Sequence, residues 1–255
     1  MMDPRSRTYD TCVMPLNEYC TRCHEILILF FFSQGLTFHN GTLYESTGLY
    51  GLSSVQILDV KTGESVNKVM LPGFEFGEGM TYYDGNLLQI TWKDKTGHVW
   101  SVNDLKKEVD FEYKTSKGDE GWGITYDTVR NELIITDGSN NLVIWDPECW
   151  RTGFCAPIRT IPCLRQNGKP ALGLNEVEFW QGRVLANVWY EDVLLVIHPE
   201  TGVVEKEYDM SALWPTTQRN KGSDVFNGIS VTDDPDVLYV TGKKWAQIFK
   251  IKLLV

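Results

Sequence analysis

One carboxylate, one ammonium and three carboxamides stand at matching points of a repeating pattern in this chain. They are Glu78, Lys243, Gln34, Asn175 and Asn227. Aromatic residues occupy the neighbouring or equivalent points: Phe32, Phe76, Trp92, Trp122 and Trp189. Binding sites are largely apolar and carry a few convergent polar groups, which is the mixture assembled here. A carboxylate walled by tryptophan and phenylalanine is also poorly hydrated. Its pKa rises toward neutrality, where it can both take and return a proton. The chain has no serine triad, phosphate-binding loop or dinucleotide fingerprint. Cys20-x-x-Cys23-His24 has a metal-like spacing, but no second Cys or His pair follows it.

The pattern that positions these residues is a strand opening met five times. It reads Gly35-Leu36-Thr37-Phe38, Gly79-Met80-Thr81-Tyr82, Gly123-Ile124-Thr125-Tyr126, Glu176-Val177-Glu178-Phe179 and Gly228-Ile229-Ser230-Val231. Successive openings are 44, 44, 53 and 52 residues apart. Each is followed by a turn, a second strand-like segment, a third, a turn and a fourth. Four short strands in 40–50 residues make a propeller blade. The expected fold is an all-β, five-bladed β-propeller with four-stranded blades. A β-sandwich has similar strand spacing but leaves the five matching openings unexplained. The longer steps predict inserts at about 149–173 and 210–224. The last opening leaves room for three strands only, so the ring needs an N-terminal strand to close it. Glu25 to Phe32, apolar and β-prone, is the segment expected to do so. Residues 25–255 are then one propeller domain, and 1–24 are a tail.

In a propeller the inner strands run along a central channel, so equivalent residues converge. Gln34, Glu78, Trp122, Asn175 and Asn227 precede the five openings and are expected to face one mouth. Gly48, Trp92, Gly138, Trp189 and Lys243 end the second strands and are expected to form another ring at the same end. The glycines after Glu78 and Trp122 read as tight-packing positions. Asn40-Gly41-Thr42 is a glycosylation sequon that reads better as a hairpin turn. Cys149, Cys155 and Cys163 share one segment, and their pairing is left open.

Composition narrows the function. Lys plus Arg is 24 and Asp plus Glu is 34, for a net charge of −10. With no basic cluster, nucleic acid is not an expected partner. The longest apolar run, Ile26 to Phe32, is far short of the roughly 20 residues of a membrane span. Residues 1–25 hold no apolar stretch of a secretory signal. A monomer is expected.

At the same residues the chain resembles the plant-type glutaminyl-peptide cyclotransferases. The matching stretches include Phe32-Ser33-Gln34-Gly35-Leu36, Phe76-Gly77-Glu78-Gly79, Thr91-Trp92-Lys93 and Glu120-Gly121-Trp122-Gly123. Leu174-Asn175-Glu176, Asn187-Val188-Trp189 and Thr241-Gly242-Lys243-Lys244-Trp245 extend the match towards the C-terminus. One departure is that Leu27-Ile28-Leu29 stands where family members usually carry Pro-His-Asp. The resemblance implies a five-bladed propeller that converts N-terminal glutamine to pyroglutamate with loss of ammonia. It implies no metal or other cofactor, and peptides or proteins with N-terminal glutamine as substrates. By motif, the acid/base glutamate falls on Glu78, the lysine on Lys243 and the asparagine on Asn175. The substrate pocket falls on Phe32, Gln34, Phe76, Trp92, Trp122 and Trp189. A closed pocket end selects a free N-terminus and predicts broad tolerance after the first residue.

Two other readings remain at this point. A lactonase-like propeller hydrolase would hold a divalent ion on Glu78, Asn175 and Asn227 oxygens. A non-catalytic interaction propeller would use the two inserts as its partner surface.

Overall fold

A computed structural model describes residues 12–14, 24–27 and 32–253. It is a ring of five antiparallel blades. Blade one is Ser33–His39, Thr42–Thr47, Ser54–Leu58 and Ser65–Met70. Blade two is Gly77–Tyr83, Asn86–Thr91, Thr96–Ser101 and Lys107–Tyr113. Blade three is Gly123–Asp127, Glu132–Thr136, Asn141–Trp145 and Arg159–Pro162. Blade four is Leu174–Trp180, Arg183–Val188, Glu191–Ile197 and Val204–Asp209. Blade five has Phe226–Val231, Val237–Gly242 and Gln247–Leu253.

An N-terminal strand completes blade five. His24–Leu27 pairs antiparallel with its third strand, with Ile26 opposite Ile248. Cys12–Met14 pairs parallel along the same edge. The described strand overlaps the expected Glu25–Phe32 at residues 25–27. Residues 28–31 lie outside the described residues, as does most of the expected tail 1–24. Phe32 is not in the strand, because it stands at the channel mouth while the closing strand lies at the blade's outer edge.

Alternation along the strands places successive side chains on opposite blade faces. In a ring both faces are covered, so the middle strands are buried along most of their length, with polar residues such as Glu45 and Gln89 included. Leu43 packs toward blade five, with Tyr239 and Ile248. Its neighbour Tyr44 packs toward blade two, with Met80, Leu87 and Trp100. The same division gives apolar cores between blades two and three, three and four, and four and five. Asn40-Gly41 is the hairpin turn read from the sequence, with φ of 48° and 78°.

The five openings pack against one another at the axis. A Cβ on Gly79 would lie 2.6 Å from Gly123 Cα, and one on Gly35 would lie 2.5 Å from Met80 N. Blade four breaks the pattern with Glu176. Its Oε1 accepts the Leu36 N–H at 3.2 Å, and its Oε2 accepts the Ile229 N–H at 2.8 Å. One side chain therefore ties blade four to blades one and five. Separate cavities, of about 210 and 550 Å³, open at the two mouths.

The insert at 149–173 differs from expectation, because the fourth strand of blade three lies within it. The segment before that strand is a short 3₁₀ turn, Cys149–Thr152, followed by Phe154–Cys155 paired to the outer edge of blade two. Cys149 and Cys155 form a disulfide, and Cys163 is a buried free thiol. The insert thus fastens blade three to blade two. Among the described residues, no helix is long and apolar enough to cross a membrane.

Glu176→Ala leaves the Leu36 and Ile229 amides buried without acceptors. Each orphaned donor costs about 1–3 kcal/mol, so a loss of about 2–6 kcal/mol is expected in urea denaturation. A loss below about 1 kcal/mol would show that the bridge contributes little.

Candidate active site

The smaller cavity lies at the mouth where the second strands end and the inner strands begin. Phe32, Gln34, Phe76, Glu78, Trp92, Trp122, Trp189 and Lys243 line it. All eight come from the two rings read from the sequence, or from two residues before them. Tyr190 and Asp224 also line it and were not expected.

The rings are not filled evenly, and the reason is steric. Gly48 and Gly138 sit in the second ring without reaching the cavity. The Phe76 ring lies against Gly48, and the Trp122 ring covers Gly138, where a Cβ would come within 2.5 Å of the indole. Small residues in one ring thus accommodate large ones from the other. Asn175 and Asn227 are buried but do not line the cavity. Asn227 donates its amide to the Ser33 carbonyl at 3.0 Å, joining blade five to blade one. Asn175 has neither amide atom hydrogen-bonded among the described residues. Of the three ligands of the metal-dependent reading, Glu78 alone lines the cavity. Among the described residues, no group of three or more His, Cys, Asp or Glu is arranged to hold a metal ion.

Glu78 is 5% exposed, and its Oε2 has no hydrogen-bond partner. Burial pushes its carboxyl from 4.5 up to about 8; Lys243 offsets part of this, and Glu120 adds to it. Burial likewise lowers the Lys243 ammonium, while the charges of Glu78 and Asp224 act against that shift. Gln34 is 2% exposed, and its carbonyl oxygen is unpartnered. Buried polar atoms are usually hydrogen-bonded, so unused acceptors beside a cavity mark it as a place for a ligand.

The aromatic wall has its own support. Glu120 accepts the indole N–H of Trp92 at 2.9 Å and of Trp122 at 3.0 Å. Lys93 lies 3.8 Å from both the Glu120 carboxylate and the Trp92 ring. Phe76 meets Trp92 edge-on at 5.7 Å, and Trp122 meets Trp189 at 5.3 Å. Asp224 supports Lys243 through the backbone. Its N–H donates to the Lys243 carbonyl at 2.8 Å, and the Trp245 indole N–H donates to the Asp224 carbonyl at 2.9 Å.

Glu120 clamps two walls at once. Glu120→Ala is expected to raise KM about tenfold or more through loss of two charge-assisted hydrogen bonds, and to alter the near-ultraviolet tryptophan signal. An unchanged KM and spectrum would show that the indoles hold their places without it.

The family model for glutamine cyclotransferase matches residues 29–253. A curated glutaminyl-peptide cyclotransferase of Arabidopsis thaliana is 34% identical over 225 residues, covering 87% of this chain and 67% of that protein. The crystal structure of Myxococcus xanthus glutaminyl cyclase superposes with a TM-score of 0.79 at 30% identity. That match covers 89% of this chain and 93% of the other. With a propeller of this topology and a family match across nearly all of it, the chain belongs to the glutamine cyclotransferase family.

Proposed function

We propose that this cavity converts the N-terminal glutamine of peptides and proteins into pyroglutamate, and that Glu78 carries the proton. The observation behind this reading is a buried carboxylate with one oxygen unpartnered that shares a one-residue cavity with a buried lysine and an unpartnered glutamine carbonyl.

In the reaction the substrate α-amine nitrogen attacks its own side-chain carboxamide carbon. The new C–N bond closes a five-membered ring, and the old C–N bond breaks. The attacking nitrogen loses one proton, and the departing nitrogen gains one to leave as ammonia. Glu78 takes the first proton and returns it at the second position. The tetrahedral intermediate carries an oxyanion. Lys243 lines the cavity and Asn175 does not, so the oxyanion is assigned to Lys243. Gln34 presents its free carbonyl to substrate N–H groups. The indole and phenyl walls hold the folded conformer and exclude the water that would otherwise hydrolyse the amide.

The proton count sets the pH dependence. A substrate amine ionises at roughly 7.7–8.0. Glu78, raised to about 8, nearly matches it. Attack needs the amine neutral and Glu78 ionised, since the proton later given to ammonia is the one Glu78 takes from the amine. Below both values the amine is protonated and Glu78 already holds a proton, so neither can act. The expected kcat/KM profile rises through about pH 8 and levels off above it.

Purified protein incubated with a glutamine-initiated peptide should show, by mass spectrometry, loss of one ammonia. Glu78→Gln should abolish turnover, and Lys243→Met should lower kcat about 10²–10³-fold. A folded sample that leaves the peptide unchanged contradicts the reading. So does a Glu78→Gln variant that turns over normally.

A further inference from the structure

The cavity, at about 210 Å³, falls below the roughly 300–1,000 Å³ of sites that take drug-sized ligands. It has room for one residue of a peptide. Everything after the first residue must cross the rim, and the rim is not uniform.

One sector is apolar and open. Two loops form it, the residues after the second strand of blade one and those leading into blade two. Tyr50 is 50% exposed, Leu52 59% and Phe74 70%. Leu49 is exposed beside them. Neither 48–53 nor 71–74 contains a charged residue, in a chain of net charge −10. Elsewhere the rim is mixed: Trp189 and Tyr190 are exposed, but Lys93 lies over Trp92, Lys244 lies over Phe32, and Asp224 lines the cavity.

This sector is continuous with the cavity wall and held in place. Tyr50 packs edge-on against Phe76 at 5.3 Å, and Phe76 lines the cavity. A Cβ on Gly73 would lie 3.8 Å from Gly51 Cα, so the two loops are neighbours. Ser53, 1% exposed, joins them. Its hydroxyl lies 3.0 Å from the carbonyls of Leu49 and Glu75, either of which can accept its one hydrogen, and it accepts the Gly77 N–H at 3.1 Å. The apolar side chains are thus displayed on a buried hydrogen-bonded support. Soluble proteins scatter exposed apolar residues singly, and a contiguous group marks an interaction surface.

We infer that Tyr50, Leu52 and Phe74 form a ledge that binds apolar side chains at the second and third residues of the substrate. The inference rests on the cyclisation reading of the cavity. It converts the broad tolerance expected of an open mouth into a graded preference. Apolar residues at these positions leave water on the ledge, and polar ones gain nothing there.

The test compares two pentapeptides, Gln-Leu-Phe-Ser-Ser and Gln-Ser-Ser-Ser-Ser, on wild type and on Leu52→Ser/Phe74→Ser. Both substitutions are at exposed positions, so the fold is retained. Wild type is expected to use the apolar peptide with about tenfold higher kcat/KM, carried by KM, the size expected when part of one apolar side chain leaves water. The ratio should fall to near one in the variant. A ratio near one in wild type, or a ratio the substitutions leave unaltered, overturns the ledge. An equal loss on both peptides also overturns it, since that is a general defect. A dimer of the wild type that the variant loses in sedimentation assigns the patch to a second copy and overturns the proposal too. If neither peptide reacts, the cyclisation reading fails. The two pyroglutamyl peptides then decide the ledge by calorimetry: about tenfold tighter binding of the apolar one supports it, and equal binding overturns it.

Discussion

The close approach of the inner strands at the axis is the constraint on which this molecule depends. Gly35, Gly79 and Gly123 let neighbouring backbones touch, and Gly79 donates its N–H to the Trp122 carbonyl across the blade boundary at 2.9 Å. Had these positions carried side chains, the ring would be wider and the cavity would have no floor. Glu176 completes the closure from the fourth blade. Its two backbone hydrogen bonds join blade four to the following blade five and to blade one, distant in sequence. Burial and the neighbouring Glu178 raise the Glu176 pKa well above the ordinary range, so the bridge lies in a strongly desolvated place. The cavity therefore sits on a closely packed, desolvated base.

That base explains the character of Glu78. It lies one residue before the tightly packed Gly79, so its side chain emerges where water has already been excluded. Phe76 and Trp92 cover it from blade two, and Trp122 from blade three. A carboxylate in such a place holds its proton to higher pH, and that is what a proton shuttle at neutral to mildly alkaline pH needs. The arrangement opposes stability, since the charged form is poorly solvated. In the proposed mechanism, function is built from a group the fold would otherwise avoid. Lys243 reduces the penalty, and Asp224 keeps Lys243 in register through backbone hydrogen bonds.

Much of this was legible in the sequence because repetition converts spacing into geometry. Five matching openings gave the blade count, and the residues before them gave Gln34, Glu78 and Trp122 as mouth residues. Trp92, Trp189 and Lys243 followed from the second ring. Repetition does not reveal what breaks it. Asp224 lies in an insert with no register to count from. Tyr190 takes a turn with φ of 65°, off any strand pattern. The Glu120 clamp depends on two indoles pointing the same way, which spacing does not specify. Asn175 occupies the same strand position as Glu78 and yet does not line the cavity. The fourth strand of blade three lay hidden in what read as an insert, since Arg159–Pro162 is short and ends in proline.

The central claim is that folding raises the Glu78 carboxyl into the pH range of the reaction. Difference infrared spectroscopy between wild type and Glu78→Gln isolates the protonated carboxyl band of this one residue. Titrated from about pH 4 to pH 10, the band is expected to disappear with a midpoint near 8. A midpoint near 4.5, the ordinary value, would contradict the account and leave Glu78 ionised throughout the working range.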